Sequence, residues 1–159
     1  MFRQVLMVAA AGMAACLVTA CAAGAGGGPE VPFETVFAGR HSGVYNRYFT
    51  VIRDGETFAE VWQRARARQY PTPAPPDIDF SRYQVIAVFL GEKRTGGYDI
   101  SIAGLMRSWK GITATVRVRQ PGAGCNTTQS LTQPFEIIKM PVTGSPIHFV
   151  VQRVAESCD

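Results

Sequence analysis

Chemistry in this 159-residue chain would have to come from 4 cysteines, 2 histidines and 12 carboxylates. A thiol nucleophile would need Cys125 with His41 or His148 as its base, yet neither histidine falls in a nucleophile motif. A metal site needs three or four convergent ligands, and the sequence holds no CxxC and no HxxxH. GxSxG, HExxH and P-loop patterns are missing as well. The carboxylates Asp54, Glu56, Asp77 and Asp79 fall where turns and caps are expected, not in opposed pairs. The expectation is a protein that is not an enzyme, with no catalytic residue, no metal and no cofactor.

The cysteines point instead to export. Residues 5–18 (VLMVAAAGMAACLV) are uncharged and apolar behind the single cation Arg3. Fourteen residues are too few to cross a bilayer of roughly 30 Å, which makes residues 1–20 a signal peptide. Its end, Val18-Thr19-Ala20-Cys21, resembles a bacterial lipoprotein signal. That resemblance implies a lipid on the Cys21 thiol and membrane anchoring through it. In lipoproteins of Gram-negative bacteria, a residue other than Asp after the lipid-bearing Cys implies sorting to the outer membrane, and Ala22 stands there. Residues 21–32, with the run AAGAGGG, form a small, flexible tether that cannot pack a core. Once Cys16 leaves with the signal and Cys21 is acylated, Cys125 and Cys158 remain in a compartment where disulfides persist. A bridge between them is expected to tie down the C-terminus.

Residues 33–159 are left for one domain, enough for a single core. The 16 cations exceed the 12 anions by a net charge of +4, too small a balance to require nucleic acid, and none is expected. Residues 33–38 (FETVFA) suit an edge strand and 45–53 a strand rich in β-branched and aromatic residues. The period then changes: Phe58, Val61, Trp62 and Ala65 lie at i, i+3, i+4 and i+7, one face of an amphipathic helix. Thr57 with Glu60 has the form of a capping box, and Glu60 with Arg64 that of an i,i+4 pair. Arg64, Arg66 and Arg68 are expected on a solvated face. The helix should stop near Tyr70, before four prolines within residues 71–76 that begin a surface connector.

Six consecutive apolar residues from Val85 require burial on both faces, which makes 83–90 the central strand. Residues 97–105 and 112–119 alternate, and in the second run Ile112, Ala114, Val116 and Val118 share one face. Residues 135–140 and 147–154 complete six or seven strands, with 141–146 turning between them. With one helix and no βαβ alternation, the fold class is α+β: a mainly antiparallel sheet with the amphipathic helix covering a face.

From Asp79 onward, VIAVFLGEKRTGGYDISI, then PGAGCNTTQSLTQPFEIIKMP and a final IHFVV resemble the PrcB C-terminal domain family. The matching pieces are Gly91, Thr95-Gly96-Gly97-Tyr98, Pro121-Gly122, Gln129, Thr132, Pro134 and Pro141; Arg94 departs from the Pro common there. The resemblance implies a lipoprotein subunit that helps a bacterial surface protease assemble or persist. The residues themselves suggest a turn first: Gly96 and Gly97 permit a tight reversal, read as a hairpin between the central strand and the next. A Thr-Gly-aromatic loop is also similar to the wedge loops of chagasin-type cysteine-protease inhibitors. Loops 93–97, 122–128 and 132–134 would be the counterparts, although their order along the chain differs.

The expectation is an outer-membrane-anchored lipoprotein facing the periplasm or the cell surface. Its non-catalytic domain would bind a protein partner, a protease accessory role being foremost, through Lys93, Arg94, Thr95, Gly96, Gly97 and Tyr98. The alternative is an envelope structural module whose arginines bind glycan or anionic lipid.

Overall fold

Strand β3 (Tyr83–Phe89) sits between two partners and two layers, as its unbroken apolar run demands. The computed structural model describes residues 28–157; the signal at 1–20, Cys21, most of the tether and Cys158 lie outside these residues. β3 pairs antiparallel with β2 (Tyr48–Ile52) on one side and β6 (Phe135–Pro141) on the other, and β1 (Glu34–Gly39) closes the edge next to β6. The order is β1-β6-β3-β2. A second sheet holds β4 (Asp99–Ser108), β5 (Gly111–Pro121) and β7 (Ile147–Glu156) in the order β4-β5-β7.

The α+β expectation of seven strands and one helix holds, but the strands divide between two sheets and β7 runs parallel to β5. Alternation reports which face a residue takes and is silent on which strand lies beside it, so the division was not legible. Two turns expected from sequence change meaning. β3 and β4 do not form a hairpin across Gly96-Gly97; that segment crosses from one sheet to the other. Residues 141–146 likewise carry the chain from β6 across to β7, and those two strands are not paired.

The result is three layers: helix, four-stranded sheet, three-stranded sheet. Val85, Ala87 and Phe89 of β3 and Phe135 and Ile137 of β6 face α1 (Gly55–Ala65), meeting Phe58, Val61, Trp62 and Ala65. Ile86, Val88, Ile138 and Met140 face the other way, against Ile100, Ile102, Leu105, Ile112, Ala114, Val116 and Val118 of the second sheet. Each fully buried aliphatic side chain in these clusters contributes roughly 1.5–3 kcal/mol.

The helix departs from expectation in three details. Its N-cap is Asp54, whose Oδ1 accepts the Thr57 amide at 2.8 Å, so the Thr57/Glu60 capping box does not form. The Asp54 cap satisfies an orphan amide one turn earlier, that of Thr57 rather than that of Glu60. It ends at Ala65, with the Arg66 amide closing onto the Trp62 carbonyl, rather than near Tyr70. Arg64 lies over the Tyr48 ring at 5.3 Å instead of pairing with Glu60, and Arg66 is half-buried rather than fully solvated: its guanidinium stacks on Phe37 at 3.8 Å. Cation–π attraction to a partly buried ring outweighs hydration there. The proline connector runs over the helix as expected, held where Trp62 Nε1 donates to the Pro73 carbonyl at 2.8 Å.

Since Ile138 is wholly buried in the layer between the sheets, Ile138→Ala is expected to cost about 2–5 kcal/mol. Urea unfolding checks it; a loss below 1 kcal/mol would mean that the two sheets are not packed as described.

Candidate functional site

At one end of the sandwich the chain leaves β3, crosses and enters β4. Gly91, with φ +77°, turns the chain where a Cβ would strike the backbone of residues 45–47. Lys93 then makes a two-way antiparallel bridge to Thr132, with N–H to carbonyl distances of 2.8 and 2.9 Å. The buried Thr132 hydroxyl donates to the Thr95 carbonyl at 3.1 Å, and the Gly96 amide donates to the Thr128 carbonyl at 2.9 Å. Gln133, also buried, donates from its side chain to Glu92 at 2.8 Å and from its amide to the Arg40 carbonyl at 2.7 Å. The expected contact loop is thereby laced to residues 128–133, and residues 93–97 and 132–134 meet at one end of the molecule.

The two glycines have different jobs. Gly97 takes φ +83°, a conformation that L side chains rarely adopt. Gly96 needs no positive φ; its lack of a Cβ lets the Thr128 hydroxyl approach, and a methyl there would overlap it. Lys93 and Tyr98 turn inward together, the ammonium 5.6 Å from the ring centre. Arg94 is exposed, and Thr95 is half-buried with its carbonyl engaged.

Beneath the loop lies an open cavity of about 350 Å³ lined by Arg47, Leu90, Lys93, Tyr98, Val118, Gln120 and Arg153. Sequence reasoning did not find it, because its walls come from five strand ends far apart in the chain. The signal was available in the alternation: each wall residue but Lys93 continues the inward stripe of its strand. Arg47 precedes the inward Phe49 and Val51, Tyr98 precedes Ile100, and Arg153 follows Phe149 and Val151. At this mouth the stripes switch from aliphatic to cationic and polar.

A second group missed from sequence is Glu136, the one buried carboxylate among the described residues, 8% exposed. β4 bulges between Ile102 and Gly104, and Glu136 accepts the Ile102 amide at 2.6 Å across the gap between the sheets. Its other oxygen accepts the Thr35 hydroxyl of β1 at 3.1 Å. Burial pushes this carboxyl above its ordinary value, against the lowering influence of the two hydrogen bonds.

Cys125 lies in the 122–128 loop, its amide on the Gly122 carbonyl at 3.3 Å and its Sγ 3.5 Å from the Glu156 carbonyl. Cys158, the partner expected for it from sequence, lies outside the described residues. Among the described residues no group of three or more His, Cys, Asp or Glu is arranged to hold a metal ion. Also among them, no helix is long and apolar enough to cross a membrane.

The architecture defines a helix-backed β-sandwich domain with crossover loops above a basic mouth at one end. The family whose model is described as PrcB C-terminal matches residues 84–141, from the second residue of β3 to the last of β6. Over that stretch the resemblance read from the TGGY and Pro-Gly elements is borne out. No curated protein and no solved structure matches the chain. β1, β2, α1 and β7 fall outside the matched stretch, and with them Arg47 and Arg153.

Two expectations follow. Gly97→Val is expected to lower stability by about 1–3 kcal/mol through forced backbone strain, while Lys93→Ala and Arg94→Ala leave the melting temperature within a degree or two; thermal unfolding of the three variants decides. For Glu136, a raised folded-state pKa means that the native protein holds its proton longer than the unfolded chain does. Stability therefore declines as pH rises from the ordinary carboxylate value of 4.5 through the raised one. Urea titrations between pH 4 and 8 are expected to show that decline, and Glu136→Gln to remove it; an equal slope in both proteins would refute the assignment.

Proposed function

We propose that this chain is a membrane-anchored, non-catalytic module that binds a protease of the cell envelope and supports it as an accessory subunit, docking through the crossover-loop end. The observation that carries the reading is the PrcB C-terminal match, centred on the strands and loops that build this end. A protease-complex partner is the general implication of that family; docking by residues 93–98 is the particular step taken here.

The course of the chain supports it. Gly28, the first described residue, lies against Arg107, and residues 29–31 hydrogen-bond along the far end of β4: the Arg107 amide to the Pro29 carbonyl at 3.0 Å and the Val31 amide to the Leu105 carbonyl at 2.8 Å. β4 runs about 30 Å from the mouth to that far end. A lipid on Cys21 would thus hold the domain by the end opposite the loops, within a tether reach of at most about 25 Å. The loop end would face away from the bilayer, where a partner can reach it. A bridge between Cys125 and Cys158 would fasten the end of β7 beneath the same loops.

The test uses the full chain expressed in a Gram-negative host and fed an alkyne fatty acid. Wild type is expected in the outer-membrane fraction, labelled, with the two cysteines recovered together in non-reducing peptide maps; Cys21→Ser is expected to be soluble and unlabelled. Crosslinking, with identification of captured proteases by mass spectrometry and zymography, is expected to yield a protease that the Lys93→Ala/Arg94→Ala protein loses while keeping its melting temperature. Equal capture by the double variant would refute docking through the loop. Capture of no protease, with binding to anionic vesicles or glycan instead, would refute the accessory-subunit reading.

A further inference from the structure

We propose that the basic mouth is a receptor for the C-terminal carboxylate of a partner chain that ends in an apolar residue. The inference rests on the reading that this end docks a protein, and it names the chemistry that is docked.

The charge comes first. Arg47, Lys93 and Arg153 line one cavity, and no carboxylate lines it with them. The ion pairs among the described residues join Arg119 to Asp99 and Glu156, and Lys139 to Glu34; none involves the three mouth cations. The Lys93 ammonium lies 5.6 Å from the centre of the Tyr98 ring. Three like charges around one opening repel one another, and a core-facing stripe that ends in arginine gives up the packing its neighbours enjoy. An anion among them relieves the repulsion, and the two guanidinium forks suit the planar, two-oxygen geometry of a carboxylate.

The floor sets the rest of the ligand. Leu90 and Val118 are 6% and 5% exposed and form the bottom of the cavity, with the Tyr98 ring on one wall and Gln120 offering an amide donor and acceptor. A bare inorganic anion would leave that apolar floor uncovered. The volume of about 350 Å³ stands at the small end of ligand sites, room for one residue rather than a helix or a strand. A chain-terminal apolar residue carries both required groups on one Cα: a carboxylate for the cations and a side chain for Leu90 and Val118. An internal Asp or Glu brings the charge without the apolar group. Terminal-carboxylate capture is an established mode of peptide recognition.

The test is fluorescence polarisation of the full chain in detergent with a labelled hexapeptide ending in a free Phe carboxylate, compared with the same peptide amidated at its C-terminus. The free acid is expected to bind and the amide to bind at least tenfold more weakly, the range a charge-assisted contact supplies. Arg47→Ala and Arg153→Ala are expected to lose the preference, while Lys110→Ala at the far end of the sandwich keeps it. The acid and amide comparison uses wild type alone and stands even if an arginine variant fails to fold. No binding, equal binding of acid and amide, or displacement of the acid by equimolar inorganic phosphate would overturn the proposal. Binding to phosphatidylglycerol vesicles with no response to the peptide would do so too. The outcomes separate from those of the docking reading: a protease captured equally by wild type and Arg153→Ala sinks the mouth and spares the docking. Capture of none, with the acid peptide still bound selectively, does the reverse.

Discussion

Every layer of the molecule is referred to the pairing of β3 with β6. The register runs unbroken from Tyr83 opposite Pro141 to Phe89 opposite Phe135, and eleven side chains of the pair are buried. A two-strand ribbon covered on both faces exposes no polar backbone and tolerates no charge on its interior positions, which is why both segments are almost wholly apolar. Alternate residues then recruit two different partners. The odd positions of β3 take the helix, and the even positions take the second sheet. Aromatic stacking reinforces the helix side, with Phe89 and Phe135 lying nearly parallel at 5.6 Å and Phe37 bridging Phe135 to Trp62.

Glu136 is the exception on that ribbon, and its position explains why it is tolerated. It lies where β4 bulges and turns the Ile102 amide away from β5. A buried amide without an acceptor costs about 1–3 kcal/mol, and Glu136 supplies the acceptor from the opposite sheet. Thr35 takes up the second oxygen, so one carboxylate links β1, β6 and β4. The other open stretch of the β4 edge is covered by residues 29–31 in an irregular strand-like run. Between them, the tether end and Glu136 shield an edge that would otherwise present unpaired backbone groups.

Which parts were legible in the sequence follows from what each signal encodes. The apolar run of β3, the alternation in β5 and the spacing of Phe58, Val61, Trp62 and Ala65 report burial directly, and all three elements form where expected. Neighbour identity is a long-range property, and so the parallel docking of β7 on β5 left no local trace. Arg66 was misjudged for a related reason: its neighbours Phe37 and Trp62 come from a different strand and a different turn of the helix, and only their convergence makes a stacking site. Of the expected contact loop, Lys93 and Tyr98 reach the mouth, and Thr95, Gly96 and Gly97 pack against residues 121–132. Arg94 stays outside, since it extends from the crest of a crossover whose neighbours are pinned to residues 128–132.

The crossover explains how one short segment comes to be both structural and exposed. A hairpin tip would be free to shift with its two strands, but a chain passing from sheet to sheet at the sandwich end is held by both layers at once. β3 delivers Leu90 to the floor, β4 begins at Asp99 beside Tyr98, and the 128–133 loop is bonded across the interval. Fixing the segment at its ends and middle leaves Lys93 and Tyr98 with little backbone freedom. The entropy of ordering this wall is then lost in folding rather than in binding, the condition under which a small site holds a ligand firmly. Arg47 and Arg153 differ: they stand at the ends of the outermost strands of the two sheets, exposed and with no ion partner among the described residues. The mouth therefore combines a rigid wall from the family-matched stretch with two adjustable cations from outside it. The rigid wall and Lys93 thus lie within the matched stretch, and the two arginines outside it.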